Sequence, residues 1–392
     1  MGPAFEDAGV GSDAFGTSVA VNTSGALGTS VAMNKSGDIV AIASPGIDSG
    51  RGFVQVFHWA GDGAAQPWIQ LGEDIVGTSN CRGLGHSMDM NDSGFMIILG
   101  AHESNNDDGI VKVYEFDFSN MGSTWIFVGN EITPPKENAG NRIAYGSPRT
   151  NGYRGSVVAM ELVDGLWVAM GQSLNASGYY ASAGTSVVAM DAEGTRLVVG
   201  TTYGNWFKGG VDVLDYDELS SQWISVGSLG GDAYYDRFGS DVDISEDGTR
   251  IIAGARGSDE GGLKNVGSFK VFEYGGGSVW NQLGQEVTGV AKHDKLGEAV
   301  AISGDGKLVA VSSPKSEDNG VLNSGKVEVY TYSEEDQVWV PKAPSIHGVD
   351  ANNRMGEGNG SIAMDSSGGR VAVGSQRGNY YDGTARAYQV VN

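Results

Sequence analysis

The sequence predicts an all-β protein: a seven-bladed β-propeller with four antiparallel strands in each blade. Three observations predict it. A short apolar phrase occurs seven times at intervals of roughly 45–65 residues, a glycine-led alternating run follows each copy, and a tryptophan phrase follows six of them. Repetition at this period is typical of repeat architectures. The 63 glycines and nine prolines favour many tight turns over disorder.

The first strand of each unit, strand a, reads "LGTSVAMN" over residues 27–34 and recurs as "LGHSMDMN", "FGSDVDIS" and "LGEAVAIS". Alternate residues of a strand point to opposite faces. Val31 and Met33 therefore share a bulky face, whereas Ser30 and Ala32 share a small one. We expect the bulky face of one sheet to pack on the small face of the next, which in a ring gives a propeller.

The remaining strands follow in the order b, c and d. Strand b is the apolar phrase, strand c the glycine-led run, and strand d the tryptophan phrase; Asp-Gly and Ser-Gly pairs between strands a and b predict tight hairpins. Strand b copies start at Ile39, Met96, Arg142, Arg196, Arg250, Lys307 and Arg370, and the tryptophans are Trp68, Trp125, Trp167, Trp223, Trp280 and Trp339. No segment has a sustained helical period, so we expect negligible helix.

The chain, residues 1–392, is thus predicted to be one domain. We place the blades at about 26–77, 83–132, 133–175, 182–230, 237–289, 295–348 and 354–392. Blade 7 has no strand d of its own, and "FGTSVAVN", at about 14–22, matches a strand d phrase; we predict that it closes the ring as the outer strand of blade 7. Pro134 and Pro135 fall where strand a of blade 3 should begin, and proline cannot donate to a central ladder, so that strand is expected to be lost or distorted.

Charge and composition restrict the partners. The formal net charge of −23 argues against nucleic acid and against an anionic membrane surface, because both require a basic face. No apolar run is long enough to span a bilayer, and the first residues do not form a signal peptide, so no membrane insertion is predicted. The single cysteine, Cys81, permits no internal disulfide. We expect no cofactor and a chain that is monomeric on its own.

The repeats resemble the FG-GAP repeats of integrin-α-type β-propellers over almost the whole chain. The residues that carry the likeness are Phe238-Gly239, its variants at Leu27, Leu84 and Leu296, "GSP" at Gly146, and "GA" at Gly100 and Gly254. The resemblance implies an extracellular or cell-surface protein. FG-GAP proteins often bind calcium in the a–b turn, but turns such as "NKSGD" and "SEDGT" lack alternating aspartates, so no metal is predicted. Sequons at Asn22, Asn34, Asn91, Asn175 and Asn359 permit N-glycosylation.

Aromatic residues outside the strand pattern indicate a binding face. In a propeller the b–c and d–a loops share one face, and these loops carry most of the unpatterned rings, beside polar groups that include Lys208 and Asp236. The candidate ligand-binding residues are Tyr153, Arg154, Tyr179, Tyr180, Tyr203, Trp206, Tyr234, Tyr235, Arg237, Tyr380 and Tyr381. Tyrosine and tryptophan offer contact area with a polar tip, which suits a glycan or a protein partner. The alternative is that the rings fold down over the blade junctions.

Other sites are less well supported. The third position of strand a includes His86, Glu298 and Glu357, which either hold a cation or form a solvated channel wall. No metal-binding spacing of histidines and no nucleophile elbow occurs, and Cys81 has no His–Asp frame, so no catalytic residue is assigned. We therefore predict a non-catalytic binding or adhesion module that recognises a glycan or protein partner. The alternatives are a structural subunit of a larger assembly and a polysaccharide hydrolase or lyase using the same face.

Overall fold

Seven small antiparallel sheets form a ring, which confirms the all-β, seven-bladed propeller. The computed structural model describes residues 30–46, 50–61, 68–79, 81–101, 110–118, 124–128, 142–147, 156–164, 166–175, 188–203, 207–358, 360–375 and 384–390. Over these ranges, no helix has the length and apolar character needed to cross a bilayer.

Blades 1 to 4 contain the first seventeen strands. Blade 1 has β1 (Ser30–Met33), β2 (Ile39–Ser44), β3 (Phe53–Trp59), β4 (Trp68–Gln70) and β5 (Ile75–Val76); blade 2 has β6 (Leu84–Met90), β7 (Met96–Ala101), β8 (Ile110–Asp117) and β9 (Thr124–Val128). Blade 3 has β10 (Arg142–Ser147), β11 (Ser156–Val163), β12 (Leu166–Ala169) and β13 (Leu174–Asn175); blade 4 has β14 (Val188–Met190), β15 (Arg196–Gly200), β16 (Gly210–Asp217) and β17 (Gln222–Gly230).

Blades 5 to 7 contain the rest. Blade 5 has β18 (Phe238–Ile244), β19 (Arg250–Ala255), β20 (Ser268–Gly276), β21 (Val279–Gln282) and β22 (Val287–Thr288); blade 6 has β23 (Val300–Ile302), β24 (Leu308–Ser313), β25 (Lys326–Ser333), β26 (Val338–Pro341) and β27 (Ile346–His347). Blade 7 has β28 (Ile362–Met364), β29 (Arg370–Ser375) and β30 (Thr384–Gln389). Strands a, b and c of each blade pair antiparallel in the predicted order, and so does strand d in blades 1 to 6, where it pairs with strand c.

Strand d is divided into two segments in several blades, a feature the sequence analysis did not predict. In blade 1, β4 and β5 both pair with β3, and between them Leu71 donates its backbone N–H to the carbonyl of Val56 at 2.7 Å. Blade 5 repeats the arrangement, with Leu283 donating to Val271 at 2.8 Å. The outer edge therefore bends without losing its pairing with strand c.

The predicted packing of bulky faces on small faces is confirmed between blades 7 and 1. Val31, Met33 and Ile42 of blade 1 lie in one buried cluster with Ala372 and Ala385 of blade 7. The opposite face of blade 1 presents Ala32, Ala41 and Ala43 to the large side chains Ile97, Leu99, Tyr114 and Phe116 of blade 2. Burial of alternating large and small faces supplies most of the apolar contact that holds neighbouring blades together.

Two repeated hydrogen bonds join neighbouring blades. Arginines at the start of strand b donate to a carbonyl in the a–b turn of the next blade, as Arg196 does to Gly248 at 2.8 Å. Trp125, Trp223 and Trp339 of strand d donate their indole N–H to a carbonyl of the preceding blade, as Trp223 does to Met170 at 2.8 Å. Arg370 of blade 7 makes the same contact with Ser36 of blade 1, at 3.0 Å, and so links the last blade to the first.

The first residue of each described a–b turn is a cap. Asn34 accepts hydrogen bonds from the backbone N–H of Asp38 and Ile39, while its side-chain amide donates to Ser36 and Asp38. Asn91, Asp191, Ser245, Ser303 and Asp365 accept equivalent bonds in their turns. Since Asn34 is 3% exposed and uses its amide internally, this sequon is a turn cap in the folded protein, and its amide is not accessible for glycosylation.

The predicted closing strand at 14–22 and the predicted distortion at Pro134 and Pro135 lie outside the described residues.

Candidate functional site

Three consecutive blade corners on the b–c and d–a face share one backbone arrangement. We define a corner as the b–c loop of one blade together with the entry to strand a of the next. Corner 4/5 comprises residues 207–209 and 235–239, corner 5/6 comprises 265–267 and 293–297, and corner 6/7 comprises 323–325 and 352–356. In each corner two parallel backbone hydrogen bonds join the loop to the entry, for example Arg237 to Phe207 at 3.0 Å and Phe238 to Lys208 at 2.9 Å.

The three corners also share left-handed backbone at the same three non-glycine positions. In corner 4/5 these are Phe207, Tyr235 and Arg237, with φ of 65°, 74° and 57°. Their counterparts are Asn265, His293 and Lys295 in corner 5/6, and Asn323, Asn352 and Arg354 in corner 6/7. Left-handed backbone is unfavourable for most side chains and is best tolerated by glycine, asparagine and aspartate. The fold thus imposes a strained conformation three times.

The side chains at these positions differ between corners. In corner 6/7 the amide of Asn323 donates to Asn352 at 3.0 Å. In corner 5/6 the amide of Asn265 lies 3.5 Å from Nδ1 of His293. In corner 4/5 the same two positions carry Phe207 and Tyr235, whose rings stack with centroids 5.5 Å apart and an angle of 22° between their planes. An aromatic pair has replaced a polar pair on unchanged backbone.

The aromatic pair is exposed and has further rings and cations around it. Tyr234 and Tyr235 are each 63% exposed and Phe207 is 38% exposed. The ring of Tyr203 packs edge-on against Phe207 at 5.8 Å. Arg237 lies 5.8 Å from the centroid of Tyr203, and the ammonium of Lys208 lies 5.1 Å from that of Tyr234. We call this group, Tyr203, Phe207, Lys208, Tyr234, Tyr235 and Arg237, the aromatic corner.

The structure brings together four of the predicted binding residues: Tyr203, Tyr234, Tyr235 and Arg237. The exposure of Tyr234 and Tyr235 contradicts the alternative in which those rings fold down over a junction. The other predicted residues, Tyr153, Arg154, Tyr179, Tyr180, Trp206, Tyr380 and Tyr381, lie outside the described residues. Phe207 is one of the unpatterned loop aromatics of the sequence but was not assigned as a binding residue. Aligning it with Asn265 and Asn323, each two residues before the glycine that precedes strand c, would have identified it.

The central channel is crossed at its a–b end. In each a–b turn of a connected series, one backbone N–H donates to a carbonyl of the next turn, at 2.8–3.3 Å. The series runs Ala192 to Glu246, Glu246 to Gly304, Gly304 to Ser366, Ser366 to Lys35, and Lys35 to Asp92. The ammonium of Lys35 in blade 1 reaches Glu246 in blade 5, on the far side of the ring, at 2.7 Å. This hydrogen bond to Glu246 raises the pKa of Lys35. In the six blades whose a–b turns are described, these contacts link the turns around the a–b end of the channel, whereas the aromatic corner lies on the opposite face.

Buried carboxyl groups line the channel wall. Asp241 and Asp243 of blade 5 accept hydrogen bonds from the backbone N–H of Val300 and Ile302 in blade 6, at 2.8 and 2.9 Å. Burial raises the pKa of Asp241 well above its usual range and that of Asp243 to about 7. These side chains accept hydrogen bonds from the inner edge of strand a in blade 6, which pairs with no neighbouring strand in the described part of the chain.

The structure changes the interpretation of the strand a glutamates. Glu298 is 3% exposed and forms ion pairs with Arg256 at 2.6 Å and Lys295 at 3.3 Å, while Glu357 pairs with Arg354 at 2.8 Å. Glu298 is therefore neither a solvated wall nor an available cation ligand. No group of three or more His, Cys, Asp or Glu side chains suited to a metal ion occurs among the described residues.

Comparisons with known proteins support the fold and leave the family open. No family model matches the chain, and no curated protein matches it. Among solved structures, it is similar to a protein from Bacteroides uniformis ATCC 8492 described as a "putative 6-phosphogluconolactonase", with a TM-score of 0.56 and 11% identity over 87% of this chain and 90% of that one. At this identity the similarity shows the propeller fold alone. Membership of the FG-GAP family stays a prediction.

Proposed function

We propose that this propeller is a non-catalytic binding module that recognises a saccharide through the aromatic corner. One observation carries the proposal: corner 4/5 places an exposed stacked pair, Phe207 and Tyr235, on left-handed backbone where the next two corners place polar pairs. The fold does not require aromatic rings there, because corners 5/6 and 6/7 form the same backbone without them. Residues kept in an unfavourable conformation and exposed to solvent are typical of functional sites.

The chemistry of the aromatic corner favours a saccharide. Sugar rings present C–H faces that pack on aromatic rings and hydroxyl groups that need donors and acceptors. Phe207 and Tyr235 offer the ring surface, and the tyrosine hydroxyls, Lys208 and Arg237 offer polar atoms at its border. Among the described residues, Arg237 has no carboxylate partner, whereas its counterparts Lys295 and Arg354 are each paired with the glutamate three residues later. The guanidinium is thus available to a ligand.

Glycan-array screening, followed by calorimetry on the best ligand, tests the proposal. We expect wild-type protein to bind at least one saccharide, and Tyr235→Ala to weaken that binding by about tenfold or more, as is usual for an aromatic residue at the centre of a contact. Phe118→Ala is the matched control, because Phe118 is 65% exposed but follows β8 on the opposite, c–d turn face. Equal binding by wild type and Tyr235→Ala would overturn the proposal.

A structural role in a larger assembly is the second candidate, and a separate observation favours it. The outer strands of blades 1 to 5 each expose an apolar side chain by more than 40%, at Ile69, Ile126, Val168, Ile224 and Val279. A row of apolar groups on successive edge strands is a surface that another protein can cover. Light scattering of the protein purified from native extract measures the mass of any assembly that it forms. The assembly role would be excluded if the wild type had the mass of a single chain and Ile126→Lys had the same mass.

Catalysis is the weaker alternative for the same face. The B. uniformis protein is named for a lactonase activity, but 11% identity carries no activity across to this chain. Hydrolysis of 6-phosphogluconolactone or of a polysaccharide by purified protein, lost in an Arg237→Ala variant, would replace the binding role by an enzymatic one. An extracellular or cell-surface location, as in FG-GAP-like adhesion modules, is part of the proposal.

A further inference from the structure

Four cationic side chains gather where strand a of blades 6 and 7 begins, at the b–c and d–a end of the channel. Arg256 lies in the b–c loop of blade 5 and contacts Glu298, which also pairs with Lys295. Arg354 occupies the equivalent position of Lys295 one blade further on and pairs with Glu357. Lys315 lies in the b–c loop of blade 6, two residues after the end of β24. We call these four residues with Glu298 and Glu357 the channel mouth.

Backbone packing places Lys315 beside the entry to blade 7. A Cβ added to Gly325 would meet the backbone N and O of Met355 at 2.5 and 2.7 Å and the carbonyl of Pro314 at 3.0 Å. Pro314 and Met355 therefore lie on the two sides of one glycine, and the neighbouring residues Lys315 and Arg354 lie at the same corner. Burial lowers the pKa of Lys315, and the nearby positive charges of Lys295 and Arg354 lower it further.

The charges of the channel mouth do not balance. Four cations share the carboxylates of Glu298 and Glu357, and Lys315 forms no ion pair among the described residues, in a chain whose acidic residues outnumber its basic ones by 48 to 25. A third carboxyl, Asp241, interacts with Glu298 and accepts a hydrogen bond from the backbone of Val300, and the four cations outnumber the carboxyl groups even when it is counted. The Nε atoms of Arg256 and Arg354 are also buried without a hydrogen-bond acceptor among those residues. Buried donors without acceptors and like charges held together both cost free energy. A bound anion offsets the repulsion among the four cations.

We propose that the channel mouth binds an oxyanion, a carboxylate, sulfate or phosphate group, between Arg256, Lys295, Lys315 and Arg354. Guanidinium and ammonium groups bind such anions through charge-assisted hydrogen bonds. The site is separate from the aromatic corner, which lies one blade earlier, and does not rest on the saccharide role. The two carboxylates fix three of the cations in place, and Lys315 supplies the unpaired charge.

Calorimetry of the full chain with sodium sulfate, sodium phosphate and sodium galacturonate, at fixed ionic strength, tests the site. We expect saturable binding of at least one anion, weakened about tenfold in Lys315→Gln, which is the usual effect of losing one charge-assisted hydrogen bond. Lys315→Arg should restore it. Lys307→Gln is the matched control, because Lys307 is exposed in the a–b turn on the opposite face and its replacement changes the net charge equally.

A thermal measurement separates an anion site from a structural lysine. Without added anion, Lys315→Gln should melt at a higher temperature than the wild type, because the substitution removes repulsion among cations. Saturating anion should reverse that order, because only the wild type gains stability from binding. The proposal is overturned if none of the three anions binds saturably, or if Lys307→Gln loses binding as much as Lys315→Gln.

Discussion

Corners 4/5 and 6/7 have the same backbone and opposite surfaces. Both join a b–c loop to the next blade by two backbone hydrogen bonds, and both hold three non-glycine residues at positive φ. Corner 6/7 fills the facing positions with Asn323 and Asn352, which bond to each other, whereas corner 4/5 fills them with the stacked rings of Phe207 and Tyr235. The propeller therefore fixes the backbone geometry, and the side chains at one corner are free to serve another purpose.

The difference has an energetic meaning. Left-handed backbone costs about 1–2 kcal/mol for an ordinary L-residue and less for asparagine, whose short side chain bonds locally. Corner 6/7 uses the residue type that suits the backbone, and corner 4/5 does not. The aromatic corner is thus the place where local conformational preference and the observed residues disagree, and such disagreements are expected at functional sites.

The largest predicted effect tests whether the backbone is really shared. Gly209 and Gly267 occupy the same position in corners 4/5 and 5/6, at φ of 79° and 77°. A Cβ at either would stand 2.1–2.2 Å from a backbone carbonyl oxygen, of Phe238 and Leu296 respectively. Gly209→Ala and Gly267→Ala should each lower the free energy of unfolding by about 3 kcal/mol or more, measured by urea denaturation.

Gly261→Ala is the control for that pair, because Gly261 has a φ of 58° but no atom within 4 Å of its Cβ position. It should cost only the backbone strain, about 1 kcal/mol. If Gly209→Ala were tolerated while Gly267→Ala was not, the corners would differ in backbone and the comparison would fail.

Exchanging the side chains of the corners is the next prediction. Phe207→Asn combined with Tyr235→Asn converts corner 4/5 to the type found in corner 6/7. We expect saccharide binding to fall by more than about tenfold. The free energy of unfolding should change by less than about 1 kcal/mol, because relief of left-handed strain offsets the lost ring stacking.

The equivalent change in corner 6/7 controls for the loss of a side-chain contact. Asn352→Ala removes the hydrogen bond from Asn323 and also places alanine on left-handed backbone, so it should cost about 1.5–3 kcal/mol of stability. Its effect on saccharide binding should stay within about twofold. A loss of binding in Asn352→Ala as large as that in the Phe207→Asn and Tyr235→Asn double variant would move the site away from the aromatic corner.

The sequence predicted the blades well because strand alternation is local. Val31 and Met33 show their bulky face from residue spacing alone, and the structure places them against blade 7. The corners were not predictable in the same way, because Phe207 and Tyr235 are not residue types that signal left-handed backbone. Contacts such as Lys35 to Glu246, 211 residues apart, depend on the closed ring and have no local signal.

A buried carboxyl group in corners 4/5 and 5/6 should make their contribution to stability depend on pH, unlike that of corner 6/7. Burial raises the pKa of Asp236 in corner 4/5 and of Asp294 in corner 5/6, whereas corner 6/7 has the neutral Asn353 at that position. Below its unfolded pKa, about 3.9, such a carboxyl is neutral in both the folded and the unfolded state. Above that pH the unfolded chain loses the proton more readily than the folded protein, so the raised folded pKa lowers the free energy of unfolding. The wild type should therefore lose stability relative to Asp236→Asn as the pH rises from 4 to 8.

Urea unfolding at several pH values measures that difference, which we expect to reach about 1 kcal/mol at neutral pH. Asn353→Asp supplies the converse test, because it should introduce the same decline into corner 6/7. The decline there should be the larger one, since Oδ1 of Asn353 is buried without a hydrogen-bond donor among the described residues. A stability difference between wild type and Asp236→Asn that grew in favour of the wild type with rising pH would contradict the burial argument.

The smallest predicted effect concerns the cation at the border of the aromatic corner. Lys208 lies over the ring of Tyr234 and donates to the carbonyl of Asp232 at 3.1 Å. Lys208→Gln keeps a donor for that carbonyl and removes the charge, so stability should fall by only about 0.5 kcal/mol. Saccharide binding should fall about two- to fivefold if the ammonium contacts a ligand hydroxyl. Lys264→Gln makes the same charge change on an exposed lysine next to corner 5/6. Equal losses of binding in the two variants would assign the effect to net charge, and a loss confined to Lys208→Gln would assign it to the corner that holds the rings.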